Sequence, residues 1–274
     1  MSQEPEQEPM ARKRVLYQPP GLGQVRTRRD VEFAAEEGGE LRLDLYTPAG
    51  AAPGARFPAV VLVAGYPDPG FERVMGCKFK EMGSVVSWAE LIAGSGMAAI
   101  AYTNREPAAD GLTLLRHLRQ NAAELGLDEN RIGLWAGSGN APLALWLLMQ
   151  APALGCAALL YPFTLDAAGA PEGSHHVADA AKTWRFAHPA EGRAAGDLPP
   201  EVPLFLARAG RDETPHLNES LDRFVVGALA ANLPLTLVNH PEAPHAFDLV
   251  DDGETSRQVI NQVLAFLRQH LLGS

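Results

Sequence analysis

Two cysteines, Cys77 and Cys156, are too few in 274 residues for a disulfide framework, which favours a reducing compartment. No apolar run reaches the roughly 18 residues that a membrane-spanning helix needs. Positive charge is also scarce, since 23 Lys and Arg against 33 Asp and Glu give a net charge of −10. That balance argues against binding nucleic-acid phosphates. We therefore expect neither nucleic acid nor membrane as a partner.

The first twenty residues are polar and proline-rich, and residues 1–9 lack the apolar core of a signal peptide. This pattern predicts a flexible tail over residues 1–20 and a cytoplasmic protein. Residues 21–274, in a chain that is 46% hydrophobic, are enough for one α/β domain. The sequence is compatible with either a monomer or a homodimer.

Short apolar segments alternate with helical patterns along this domain. The strands are predicted at 25–33, 41–46, 59–64, 97–102, 131–136, 157–161, 204–207 and 235–238. The helices are predicted at 84–93, 108–125, 139–150, 215–231 and 255–271. Most of the later strands are apolar on both faces, as strands covered by helices on each side must be. The pattern predicts an α/β fold: a mostly parallel central sheet of about eight strands with helices on both faces.

One segment interrupts the alternation after the sixth strand. Residues 164–200 are rich in Ala, Gly, Pro and His, and we predict a short lid with one or two helices over the carboxyl edge of the sheet. Trp184 and Phe186 are its predicted substrate-binding residues. His175 and His176 are either further contacts or a solvated pair.

The segment from Ala136 to Asn140 joins an apolar strand to a buried helix, where a nucleophile elbow belongs. The tight turn would lift the hydroxyl of Ser138 to the amino end of the next helix, whose N–H groups stabilise an oxyanion. The usual pattern is G-x-S-x-G, and Asn140 occupies the last glycine position with a larger side chain. Ser138 as a plain helix cap is the alternative.

A serine nucleophile needs a base and an oriented acid, in the chain order Ser, acid, His for this type of sheet. Asp212 follows the seventh predicted strand and His245 follows the eighth, so both lie at the carboxyl edge, where ligands bind. Asp166 is the rival acid, and Asp212 as a helix-start residue is the alternative role. No ligand spacing for a metal occurs among the histidines and cysteines.

The loop after the first central strand is predicted to supply the second oxyanion donor. Gly65 permits close approach of the backbone, and the N–H of Tyr66 would act with that of Gly139. A plain turn is the alternative. Gly65 and Phe247 are further predicted substrate-binding residues.

These motifs together resemble the dienelactone-hydrolase-like branch of the α/β-hydrolase superfamily, from about residue 25 to the C-terminus. Dienelactone hydrolases use a cysteine nucleophile, whereas this chain has Ser138, so the lactone substrate does not carry over. The resemblance implies hydrolysis of carboxylic esters of small to medium size without a cofactor or metal. Two alternatives remain: an acylaminoacyl-peptidase-like peptidase, and a non-catalytic binding protein on the same fold.

Overall fold

An open eight-stranded sheet forms the centre of the protein. The computed structural model describes residues 8–36, 39–52, 54–151, 153–165 and 176–273. The strands are β1 (Val25–Glu36), β2 (Gly39–Pro48), β3 (Phe57–Leu62), β4 (Ala98–Tyr102), β5 (Leu127–Gly137), β6 (Leu154–Leu160), β7 (Leu204–Ala209) and β8 (Leu235–His240). Their spatial order is β1-β2-β4-β3-β5-β6-β7-β8. The pairs β1/β2 and β2/β4 are antiparallel and all other neighbours are parallel, which confirms the predicted fold class.

The central strands are buried on both faces, which explains their continuous apolar sequence. Every residue of β4 is fully buried, and so are the last five residues of β3. β5 begins at Leu127, four residues before its predicted start, because the polar residues at 128–130 hide the beginning of the strand in the sequence.

Nine helices lie in the described ranges. They are α1 (Asp68–Met75), α2 (Gly83–Gly94), α3 (Pro107–Gln120), α4 (Ala122–Leu125), α5 (Ala141–Gln150), α6 (His176–Trp184), α7 (Leu217–Ala230), α8 (Phe247–Val250) and α9 (Glu254–Leu272). The predicted helix over 108–125 is divided at Asn121 into α3 and α4. None of these helices is both long and apolar enough to cross a membrane.

The insert after β6 contains one α-helix and one 3-10 turn in its described part. The helix is α6, and the turn covers Ala195–Asp197. Trp184 at the end of α6 stacks on Tyr66, which follows β3 at the carboxyl edge of the sheet, with ring centroids 4.7 Å apart. The insert therefore covers this edge beside the candidate site.

The amino-terminal segment is anchored to the domain over part of its length. Val15 is buried, and its N–H donates to the hydroxyl of Ser87 at 3.0 Å. The next N–H, of Leu16, donates to the carbonyl of Asp248 at 3.0 Å. The prediction of a flexible tail is therefore wrong at Val15 and Leu16. Val15 is an apolar residue next to charged ones in the sequence, and it is held against α2.

Candidate active site

The strand-to-helix turn after β5 holds its central serine in a strained conformation. Ser138 has a φ of 53°, in the left-handed region that non-glycine residues rarely adopt. A 3-10 turn over Ser138–Asn140 then leads directly into α5. Such strain costs about 1–3 kcal/mol and is retained where the surrounding structure enforces it. The turn has the form expected of a nucleophile elbow.

Three predicted residues from three loops form one hydrogen-bonded chain. The Oγ atom of Ser138 lies 3.0 Å from Nε2 of His245. The Nδ1 atom of His245 lies 2.6 Å from Oδ2 of Asp212, whose side chain is fully buried. The rival acid, Asp166, lies outside the described residues. The structure thus brings Ser138, His245 and Asp212 together in the order that a catalytic triad requires.

The Asp212 carboxylate is held in its charged form. Burial would raise its pKa, but hydrogen bonds from His245 and Thr214 outweigh burial and place the pKa below the ordinary value of 3.8. The Thr214 N–H donates to Oδ1 at 2.9 Å, so each carboxylate oxygen has its own donor. Asp212 therefore both orients His245 and accepts from the turn before α7.

Two loops carry Asp212 and His245 and are joined by their backbones. The N–H of Gly210 donates to the carbonyl of His240, and that of Arg211 donates to the carbonyl of Ala243, each at 2.8 Å. A Cβ atom on Gly210 would lie 2.4 Å from the carbonyl oxygen of Pro241, so only glycine permits this approach. Gly210 is a positioning residue that the sequence did not single out.

Asn140 connects the elbow to the loop after β3. Its Oδ1 accepts from the Gly65 N–H at 2.7 Å, and its Nδ2 donates to the carbonyl of Gly137 at 3.1 Å. A Cβ atom on Gly65 would lie 2.7 Å from the Cα of Asn140. A side chain at position 65 would therefore collide with the elbow backbone, and contact of Gly65 with substrate stays a prediction. The larger side chain in the last position of the motif is accommodated by these two hydrogen bonds.

Tyr66 and Gly139 lie next to each other at the amino end of α5. In the described part of the chain, neither backbone N–H has a hydrogen-bond partner. The phenol of Tyr66 is folded over Gly139, where an added Cβ atom would lie only 1.8 Å from the hydroxyl oxygen. Burial raises the pKa of Tyr66 to about 12, so the phenol is neutral at physiological pH. The N–H groups of Tyr66 and Gly139 stay the predicted oxyanion donors.

Tyr161 links the ring of His245 to a buried carboxylate, that of Asp248. The ring of Tyr161 contacts that of His245 edge to face, with centroids 4.9 Å apart. The Tyr161 hydroxyl donates to Oδ1 of Asp248 at 2.9 Å, and Trp88 Nε1 donates to Oδ2 at 2.7 Å. Burial raises the pKa of Asp248, and these two hydrogen bonds oppose the rise. The three partners are far apart in the chain, so no local pattern signals this network.

A cavity of about 210 Å³ lies beside the elbow, between Tyr66 and α6. Trp184, predicted to bind substrate, lines it together with Gly139, Pro142 and His188. Phe186 does not line the cavity, and its ring packs against that of His188 with centroids 5.3 Å apart. Phe247 is fully buried against Tyr161, so its predicted contact with substrate is wrong. Its ring packs against those of Tyr161 and His240.

His175 lies outside the described residues, as does the side chain of His176. Within the described ranges, no group of three His, Cys, Asp or Glu side chains is arranged to hold a metal ion.

Comparisons with known proteins point to one fold. No protein-family model matches the chain, and no curated protein matches its sequence. A bacterial heroin esterase is 18% identical, with a TM-score of 0.68 over 92% of this chain and 85% of its own. An esterase from the planctomycete Thermogutta terrifontis is 23% identical, with a TM-score of 0.64 over 93% of each chain.

A third similar structure is an ester hydrolase from the metagenome of Lake Arreo, complexed with a phosphonate derivative. It is 20% identical, with a TM-score of 0.67 over 94% of this chain and 86% of its own. At such identities the likeness establishes the fold alone. The strand order, the strained turn after β5 and these structural relatives lead to one conclusion: the chain has the α/β-hydrolase fold.

Proposed function

We propose that this protein is a serine hydrolase that cleaves carboxylic esters of small to medium size through an acyl-enzyme on Ser138. The observation that carries the proposal is the continuous hydrogen-bonded chain from Ser138 through His245 to the buried Asp212. The structural relatives named above support it, because each is called an esterase or an ester hydrolase. The dienelactone-hydrolase-like branch remains a prediction.

Acylation begins when His245 Nε2 takes the hydroxyl proton and Ser138 Oγ forms a bond to the ester carbonyl carbon. Asp212 stabilises the imidazolium that results and holds Nδ1 protonated. His245 then transfers the proton to the alkoxide oxygen of the substrate as the carbon–oxygen bond breaks, and the alcohol leaves. Water then attacks the acyl-enzyme while His245 takes a proton from it. His245 returns this proton to Ser138 Oγ as the bond between Oγ and the acyl carbon breaks, and the acid leaves.

The negative charge of the tetrahedral intermediate develops beside two N–H groups, those of Tyr66 and Gly139. One such donor is worth about 3–4 kcal/mol of transition-state stabilisation when it is correctly placed. Asn140 fixes the spacing between them, since it binds the residue before Tyr66 and follows Gly139 in the chain. We therefore assign Asn140 as a positioning residue for the oxyanion donors.

The variant Asn140→Gly would restore the usual last glycine of the elbow motif, yet we expect it to lower kcat by about 10- to 100-fold with little change in KM. The substitution removes both side-chain hydrogen bonds and loosens the donor from Tyr66. Steady-state kinetics on a short p-nitrophenyl ester measures the effect. Asn232→Gly is the control, because Asn232 is exposed and has a φ of 54° that glycine adopts without strain. A kcat equal to or above that of the parent protein would contradict this role.

The proposed function is tested with p-nitrophenyl esters of graded acyl length and with aminoacyl p-nitroanilides on the purified full chain. We expect hydrolysis of the short esters well above that by Ser138→Ala, and slower turnover of the anilides. Faster cleavage of the anilides would favour the peptidase alternative. A folded protein that hydrolyses neither class would favour the binding-protein alternative.

A further inference from the structure

His188 is a buried histidine in the insert that the proposed mechanism does not use. Its side chain is 4% exposed, and it lines the cavity of about 210 Å³ beside Tyr66 and Gly139. The N–H of Ala190 donates to its Nδ1 at 3.2 Å. Among the residues that the structure describes, no hydrogen bond involves its Nε2.

These contacts fix the chemical character of the ring. A neutral imidazole whose Nδ1 accepts a hydrogen bond carries its proton on Nε2. Burial lowers the pKa of His188 to about 4, so the ring is neutral at physiological pH. His188 is therefore an uncharged donor with one N–H left for a ligand.

Three further polar side chains line the cavity, those of Tyr66, Asp179 and Thr183. Asp179 and Thr183 are exposed, so they lie at the rim, and Asp179 is near Lys182 at 3.9 Å. The inner walls include the apolar side chains of Pro142, Phe163 and Trp184. A ligand that fills the cavity shields the Nε2–H of His188 from water, so the site favours a ligand that brings an acceptor for it.

The position of the cavity indicates which part of an ester it would take. The leaving alcohol must lie beside His245, which protonates it, and His245 does not line this cavity. Gly139, a proposed oxyanion donor, does line it. The acyl part is therefore the part that reaches the cavity, and its small volume admits only a short chain compared with the 300–1,000 Å³ typical of drug-sized ligands.

We propose that this cavity binds a short acyl chain that carries an acceptor oxygen, such as an ether or keto oxygen, and that His188 Nε2–H donates to that oxygen. This inference rests on the proposed ester hydrolysis and names its substrate class. It makes His188 a specificity-determining residue.

Two p-nitrophenyl esters of nearly equal shape test the inference, the pentanoate and the 3-methoxypropanoate, in which an oxygen replaces one methylene. The kcat/KM of the methoxy ester is first divided by that of the pentanoate. This ratio is then divided by the same ratio of the hydroxide-catalysed rates, which removes the inductive effect of the oxygen and gives the corrected ratio. We expect the corrected ratio to favour the methoxy ester by about tenfold or more in the parent protein, as one hydrogen bond implies. A corrected ratio near one, with both esters hydrolysed, would overturn the inference and leave the proposed function intact. Hydrolysis of neither ester would overturn both.

Variants of His188 assign the preference to this side chain. In His188→Phe the corrected ratio should fall to about one, whereas His188→Gln should retain part of it, because the glutamine amide can donate from a similar position. The control is His117→Phe on α3, whose ring packs against Phe33 and does not line the cavity. A preference that survives in His188→Phe would assign it to another residue.

Discussion

The variant Ser138→Ala is expected to lose nearly all hydrolysis of short p-nitrophenyl esters, with kcat lowered by about 10⁶-fold, as for nucleophile removal in serine proteases. The reason is chemical: alanine has no atom that can form the acyl-enzyme, and His245 is left without a proton to accept. Steady-state and burst kinetics measure the loss. Turnover that is unchanged in the variant would exclude the proposed mechanism.

The same substitution should leave the fold in place, which makes the loss interpretable. Alanine differs from serine by one oxygen, and the hydrogen bond it removes joins only Oγ to His245. The strained φ of 53° is set by the turn and is similarly unfavourable for both residues. We expect the midpoint of thermal unfolding to move by only a few degrees. A large fall in the midpoint would instead attribute the lost activity to unfolding.

The second large effect is expected from Asp212→Asn, which should lower kcat by about 10⁴-fold. The Thr214 N–H donates to Oδ1 of Asp212, so the amide oxygen of asparagine will face Thr214 and its NH₂ group will face His245. His245 Nδ1 then accepts a hydrogen bond and the ring proton moves to Nε2. In that tautomer the imidazole cannot take the proton from Ser138.

Asp222→Asn is the matched control for this experiment. Asp222 pairs with Arg208 on the surface, so the same chemical change should leave kcat within about twofold. The tautomer of His245 can be read from the nitrogen chemical shifts of the ring. A variant with Nδ1 still protonated, or with kcat near that of the parent protein, would contradict the assigned role of Asp212.

The fold could be predicted from the sequence because burial imposes a visible pattern. β3 and β4 are apolar at nearly every position, since the sheet is covered on both faces. The candidate triad could be predicted for a related reason: Asp212 and His245 follow the ends of two parallel strands, and such ends meet at one edge. Position along the chain therefore carries information about position in space.

Helix α1 was missed because its sequence resembles a rigid turn. Pro69 and Gly70 suggest a loop, yet proline is well tolerated in the first turn of a helix, where its missing N–H has no partner to lose. The buried side chain of Asp68 accepts hydrogen bonds from the N–H groups of Phe79 and Asn104. These partners are 11 and 36 residues away, so the local sequence gives no indication of the contact that fixes the helix start.

The site details that the sequence could not supply depend on contacts between distant loops. Asn140 looks like an obstacle in the elbow motif, and its role is visible only when Gly65 lies against it. Phe247 follows His245 closely, but nothing in the sequence reveals that its ring faces Tyr161 and the core. Side-chain direction after a turn is set by tertiary packing, which periodicity does not record.

Labelling with a fluorophosphonate tests the central claim most directly, because the reagent traps an activated serine as a tetrahedral adduct. The purified protein is titrated with the reagent while ester hydrolysis is followed, and the modified residue is identified by peptide mass spectrometry. The account predicts one adduct per chain, on Ser138, with activity lost in proportion to labelling. An adduct on another residue, or activity that persists at complete labelling of Ser138, would contradict it.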